Sequence, residues 1–250
     1  MKIMKSITKM VTGLCIALLL SSVTASAKTI NVTRPDGDGN ITGSLFYAIS
    51  LAVPGDIIDC SAIAGQTIIT LSPGMFVAFN TSNVTLNGSG IVLENPVSVD
   101  ASYVTIRNVK FQNSTVPFVA VKVGEYAYSS STVVENCIFT GYTMGACIHF
   151  MSAGDYYVRN CIFENNHNSS TMSGIITTGQ PGNMRNMYIY GNTFYNNTGG
   201  AIFAGSGSNV YVGGNVFYGN TNIAFEALSI KIQWRAAVHE AITSPIKQLP

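Results

Sequence analysis

The sequence predicts an all-β fold, a parallel β-solenoid of roughly six or seven coils. A phenylalanine returns at Phe111, Phe139, Phe163, Phe194 and Phe217, at intervals of 28, 24, 31 and 23 residues. Each sits in a similar phrase: VTIRNVKFQN, TVVENCIFTG, YYVRNCIFEN, MYIYGNTFYNN and VYVGGNVFYGN. Within a phrase, apolar and polar residues alternate up to an Asn or Gly, the pattern of a half-buried strand followed by a bend with left-handed backbone angles. Between the phrases lie second apolar runs: PFVAVKV from Pro117, GACIHF from Gly145, SGIITT from Ser173 and GGAIFA from Gly199. Each unit therefore holds two or three short strands. A unit of about 25 residues cannot bury its apolar face alone, so the copies stack.

Taken in order, the chain opens with Lys2, Lys5 and Lys9, an apolar run from Val11 to Leu20, and the small residues Ala25, Ser26 and Ala27. This pattern predicts a secretory signal peptide over residues 1–27, too short to span a bilayer, with no second apolar segment after it. Leu14 stands where a lipoprotein site at Cys15 needs a small residue. Removal leaves 223 of the 250 residues and takes the 13 basic residues to 10 against 12 acidic, about −2. Such a charge argues against nucleic acid or an anionic membrane as partner.

Residues 28–60 read as an N-terminal cap. KTINVT alternates as a strand, and RPDGDGNITG is turn-rich. Ser44 then offers an N-cap for a helix whose Leu45, Ala48, Ile49 and Ala52 share one face, stopped by Pro54-Gly55. Laid across the open end, that helix prevents end-to-end association. The repeats fill 61–222, with QTIITL, NVTLNGSGIVL and PVSVDASYVTI as earlier, less regular coils. Residues 223–250 have helix-forming composition and the only tryptophan, Trp234, which predicts a helical or irregular tail, or a chain that leaves its frame and ends early.

The cap resembles that of secreted right-handed β-helix proteins of the adhesin-like and chlamydial polymorphic outer-membrane type. Their SLxxAIxxAxxGDxI pattern is matched at Ser44, Leu45, Ala48, Ile49, Ala52, Gly55, Asp56 and Ile58, with Phe46 and Tyr47 replacing the usual Arg and acidic residue. Their FxxN tetrapeptide is matched at Phe163, Phe194 and Phe217, and GGAI at Gly199; the copies at Phe111, Phe139, Gly145 and Ser173 are degenerate. The resemblance implies a right-handed, single-stranded coil. It also implies a surface protein, in which such chains usually run on into a membrane β-barrel that is absent from this sequence.

Catalytic chemistry is harder to assemble. Glycoside hydrolysis needs two carboxyl groups at about 5–10 Å, yet between residues 66 and 223 the acids are Glu94, Asp100, Glu125, Glu135, Asp155 and Glu164, with no clustered motif. Arg107 and Arg159 read as a solvated surface or as contacts for an anionic sugar. Asp36, Asp38 and Asn40 match half of a calcium loop, but Ile41 and Tyr47 break it, so an ordinary turn is expected. His149 reads as a core or edge residue and His167 as a solvated one. Asn-x-Ser/Thr triplets begin at Asn31, Asn40, Asn80, Asn83, Asn87, Asn113, Asn168 and Asn196.

Cys60, Cys137, Cys147 and Cys161 remain after signal removal. Cys137 and Cys161 occupy one place in consecutive copies, either as two buried thiols or as a disulfide. Asn192 and Asn215 share one position of a ladder along the axis; Asn108, Asn136 and Asn160 share its neighbour.

These readings predict an exported, non-enzymatic, monomeric protein without cofactor or metal, secreted or on the cell surface, with association with an outer membrane as one form of that placement. It would act as a rod that binds a host-surface protein, a polysaccharide or a neighbouring protein. A polysaccharide lyase or hydrolase with a divergent site, and a truncated inactive relative, are the alternatives.

Overall fold

The structure is a computed structural model and describes residues 26–68, 76–112, 119–143, 145–168, 174–178, 186–205, 208–221, 225–228, 231–235 and 247–249. The expected signal segment, 1–27, lies outside the described residues apart from Ser26 and Ala27, and Cys15 lies outside them too. Each regular coil supplies three strands. In one coil these are Asp155–Arg159 on a first face, Ile162–Glu164 on a second and Gly174–Thr178 on a third, before Asn186–Tyr190 starts the next. Among the described residues all strand pairing is parallel, with like residues in register, for example Tyr157 with Tyr188, Phe163 with Phe194, and Ile176 with Ile202; the register shifts once, between Asn87 and Ile91. The third face stacks eight strands, and the first two faces form one 14-stranded sheet, continuous because Thr85–Leu93 and Thr105–Gln112 run through the bend between them. The solenoid predicted from the repeats is the observed fold.

Alternation sets what faces inward. On the first face Ile58, Leu86, Ile106, Val134, Val158, Ile189 and Val212 form one buried column. On the second, Phe111, Phe139, Phe163, Phe194 and Phe217 stack at 4.8 Å between ring centroids, the separation of neighbouring strands. The copies lacking the FxxN asparagine stack as well as those that keep it.

Two bends per coil follow one recipe. At the first, a residue with positive φ, Asn108, Asn136, Asn160, Gly191 or Gly214, precedes one turned inward, Val109, Cys137, Cys161, Asn192 or Asn215. Asparagine and glycine tolerate the left-handed region, which is why the sequence places them there. At the second bend Gly141, Asn165, Asn196 and Gly219 precede Tyr142, Asn166, Asn197 and Asn220. The inward asparagines form axial ladders: Asn192 Nδ2 donates to Asn215 Oδ1 at 2.9 Å, and Asn166 Nδ2 to Asn197 Oδ1 at 3.0 Å. The asparagine of FxxN is this second-bend ladder.

Cys137 and Cys161 belong to the first-bend ladder. Cys161 Sγ donates to Val134 O as Asn192 Nδ2 donates to Val158 O one coil later. Cys60, Cys137, Cys147 and Cys161 are free and buried. Burial pushes the Cys60 thiol up to about 12 and the Cys137 and Cys147 thiols well above the usual thiol range, so these three stay protonated.

At the N-terminal end, Thr29–Asn31 pairs with Ile57–Asp59, so the first face begins within residues 28–60. The helix is Leu45–Leu51, with Ser44 Oγ accepting from Tyr47 N at 3.1 Å. It buries Leu45 and Ala48 and packs Phe46 and Ile49 against the core. At the other end the sequence expected a helical or irregular tail over 223–250. The described strands there, Phe225–Leu228, Lys231–Arg235 and Lys247–Leu249, instead extend the sheets. The exposed edge of the preceding coil offers backbone partners, and that outweighs a local helix preference.

Asp56 anchors the cap. Its buried carboxylate accepts Lys28 N and Val53 N, each at 3.0 Å, and Lys28 Nζ lies 3.9 Å away. Burial opposes ionisation, but the two N–H groups and the Lys28 charge outweigh it and hold Asp56 below its ordinary value of 3.8. A depressed carboxyl stabilises the fold above its unfolded value and loses that contribution as pH falls through the folded one. Asp56→Asn is therefore expected to lower the thermal midpoint at pH 7 and to flatten its fall below about pH 4. Parallel midpoint curves for the two proteins between pH 7 and pH 3 would contradict this.

Candidate functional site

The outward columns decide what this rod can touch. On the first face Tyr157, Tyr188 and Tyr211 stack at 4.8 Å and within 9° of parallel. Their ring faces cover one another, so the ladder presents edges and hydroxyls. Desolvation, then the neighbouring phenols Tyr157 and Tyr211, push the Tyr188 phenol up. Tyr195 and Tyr218 stack in the same way on the second face, at 5.7 Å.

A different surface lies at the corner between the third and first faces. The segment 124–130, GEYAYSS, bulges between the coil below and the coil above. Its Tyr126 and Tyr128 are 76% and 60% exposed, and Tyr103 on the rung below is 61% exposed. Among the described residues none of the three stacks on another aromatic ring. Asp100 fixes the loop: Oδ1 accepts Tyr126 N at 2.9 Å and Ala127 N at 3.3 Å, and Oδ2 accepts Ser98 Oγ at 2.7 Å. Beneath it Lys122 Nζ meets Glu125 Oε1 at 3.0 Å. Serines bind the corner to its neighbours: Ser129 Oγ donates to Ala101 O at 2.7 Å, Ser130 N to Ser102 Oγ at 3.1 Å, and Ser152 Oγ to Ser129 O at 2.9 Å. Asp100 and Glu125 Oε1 are thus bonded within the corner, Glu125 Oε2 is buried without a hydrogen-bond partner, and the exposed side chains are phenols.

Tyr103 stands out by conformation. It has φ of 60° at the bend where the preceding coil has Asn83, φ 57°. Asparagine suits that region; a bulky aromatic is strained there, by about 1–2 kcal/mol. Tyr103→Asn is therefore expected to raise stability by about 0.5–1 kcal/mol, read as a higher urea midpoint. A lower midpoint would mean that the partly exposed ring contributes more by packing than its backbone strain costs.

The residues singled out from sequence fall elsewhere. Arg107, Glu135 and Arg159 share one outward column of the first face, and Arg159 Nη2 meets Glu135 Oε2 at 2.7 Å, so an anionic sugar would have to displace Glu135. Asp155 accepts from Asn186 Nδ2 at 2.8 Å. Glu164 lies on the second face, in register with Tyr195. Among the described residues no group of three or more His, Cys, Asp or Glu could hold a metal ion. In the DGDGN turn Asp38 Oδ1 accepts Asn40 N at 2.8 Å, an ordinary Asx turn. His149 points outward from the third face, half-buried beside Lys122 in the register; burial, then Lys122, hold its pKa below 6.5, against Glu125. His167 is exposed and meets Thr198 through Nδ1. A cleft of about 350 Å³ lies between the cap helix and the third face, lined by Phe46, Ile49, Phe76 and Ala78.

The exposed tyrosines of the corner escaped the sequence reading. The one available sign was the 28-residue interval between Phe111 and Phe139, against 24 from Phe139 to Phe163, which accommodates the GEYAYSS loop.

No curated protein matches this chain. A family model described as a right handed beta helix region matches residues 89–227. Among solved structures, a mutant of the PL6 family alginate lyase AlyGC matches at a TM-score of 0.31 and 13% identity, covering 74% of this chain and 36% of its own. The chain thus spans about a third of that structure's length.

Proposed function

The chain belongs to the right-handed β-helix family, and from that we propose that it is an exported, non-enzymatic, adhesin-like rod that binds neutral polysaccharide at its tyrosine corner. The observation that carries this reading is the set of exposed rings at Tyr103, Tyr126 and Tyr128, beside a loop in which Asp100 and Glu125 Oε1 are internally bonded. Tyrosine gives a large rigid contact at low entropy cost, and serine and glycine supply adaptable hydrogen bonding. The size of the surface favours a glycan over a folded protein. With rings of roughly 200 Å² each, the exposed fractions leave about 400 Å², half of the ~800 Å² per partner in a stable protein interface. The corner's cation, Lys122, is paired with Glu125, and its other charged group is the carboxylate of Asp100, which favours a neutral chain over a uronate. The structural bonding of Asp100, Glu125, Glu135 and Asp155 supports a binding role over catalysis.

The test is retention of the purified protein on columns of neutral β-glucan, mannan and xylan and of acidic pectate and alginate, with each eluate assayed for new chain ends. Retention on a neutral polymer, without new ends and lost in Tyr126→Ala/Tyr128→Ala, is expected. New chain ends would overturn the non-enzymatic reading. Retention on the acidic polymers alone, or retention unaffected by the double variant but lost in Tyr188→Ala, would move the contact off the corner.

A further inference from the structure

We propose that cleavage between Ala27 and Lys28 turns the amide nitrogen of Lys28 into an α-ammonium that becomes the direct counter-ion of buried Asp56, so that export processing completes the cap. The inference rests on the export reading above. Ala25, Ser26 and Ala27 form the small-residue site, and Ser26 to Lys28 are exposed. Lys28 N already lies 3.0 Å from Asp56 Oδ1. Hydrolysis by a signal-type peptidase adds one water across the peptide bond: Ala27 leaves as a carboxylate, and Lys28 keeps the nitrogen as an amine, protonated at neutral pH. One N–H donor at that site becomes a cationic group with three hydrogens.

The site is built to hold it. The Asp56 side chain has no solvent exposure, and Val53 N occupies its other oxygen at 3.0 Å. Its present counter-charge, Lys28 Nζ, is 3.9 Å away on a side chain 55% exposed, a poor match for a buried carboxylate. The first rung fixes the nitrogen, since Ile57 N donates to Lys28 O at 2.9 Å and Thr29–Asn31 pairs with Ile57–Asp59. A Cβ placed on Gly55, φ +99°, would meet Ala27 Cβ at 3.4 Å, so Ala27 rests against Gly55 and its departure frees space beside the new ammonium.

The consequence is a pH signature. An ordinary α-amino group titrates at about 7.7–8.0. Beside a buried carboxylate its folded-state pKa is raised, so its contribution to stability is full below about pH 7.7 and is lost as pH rises through the folded value. The other charge acting on Asp56 is Lys28 Nζ. Helix Leu45–Leu51 brings only Tyr47 as a titratable residue, the turn at 53–55 none, and neighbouring Asn83 is uncharged.

The experiment takes the exported protein, reads its N-terminus by mass spectrometry, and compares it with the same protein acetylated at the α-amino group, both carrying Lys28→Met to silence Nζ. The free-amine form is expected to begin at residue 28 and to lose roughly 2–4 °C more in thermal midpoint than the acetylated form between pH 7.5 and 10. Adding Asp56→Asn should remove the difference. A protein that retains residues 1–27 would overturn the export reading and this inference together. A correct N-terminus with parallel curves for the two forms would overturn this inference alone.

Discussion

Asn192→Leu is expected to cost about 3–5 kcal/mol of stability, from one orphaned buried amide at ~1–3 kcal/mol and two lost hydrogen bonds at ~1 kcal/mol each. Asn192 is fully buried at the first bend. Its Oδ1 accepts Cys161 N at 2.9 Å, and its Nδ2 donates to Val158 O and to Asn215 Oδ1, each at 2.9 Å. Leucine fills similar volume but strands the Cys161 amide away from water. Asn192→Cys should lose less, because Cys137 and Cys161 show that a thiol at this rung can donate to the same carbonyl column. Urea denaturation of both variants orders them. Equal losses would mean that a thiol donating to this carbonyl column contributes nothing, and no loss in Asn192→Leu would remove the ladder from the account of stability.

That ladder also shows where the sequence speaks plainly. Asn and Gly before each bend, with alternation ahead of them, already imply left-handed positions, and positive φ occurs at Asn108, Asn136, Asn160, Gly191 and Gly214. The phenylalanine interval implies a stacked column because only a coil returns one residue type to one place. Sequence does not show that Cys161 and Asn192 do the same work, since their likeness lies in which carbonyl they reach. Nor does it show that Tyr103 sits in an asparagine's place, because the coil of Asn83 is too irregular to align by eye. At Phe225–Leu228 and Lys231–Arg235 the reading went to the helix-forming composition, while the partner decided the outcome: a coil edge supplies hydrogen bonds that no single segment encodes. The corner failed to emerge for a related reason. A search for function among acids and histidines follows charge, and here Asp100 and Glu125 serve as loop anchors beneath uncharged rings.

Phe194→Ala carries the second large effect, about 3–5 kcal/mol, the usual cost of truncating a buried phenylalanine in a core that cannot collapse. Phe194 is fully buried and stacked at 4.8 Å on Phe163 below and Phe217 above, 10° and 8° from parallel. The strand spacing holds both neighbours in place. Closing the gap would shorten the rise between coils, and the backbone ladders resist that, so the cavity stays open. Phe217 gives the internal control. It is 9% exposed and stacks on one ring only among the described residues, so Phe217→Ala should cost roughly half as much. If the stack stabilises as a column, the interior truncation exceeds the terminal one in urea midpoint. Equal losses would mean that each ring acts through its own burial with no contribution from stacking, and an unchanged midpoint for Phe194→Ala would contradict the inward column itself.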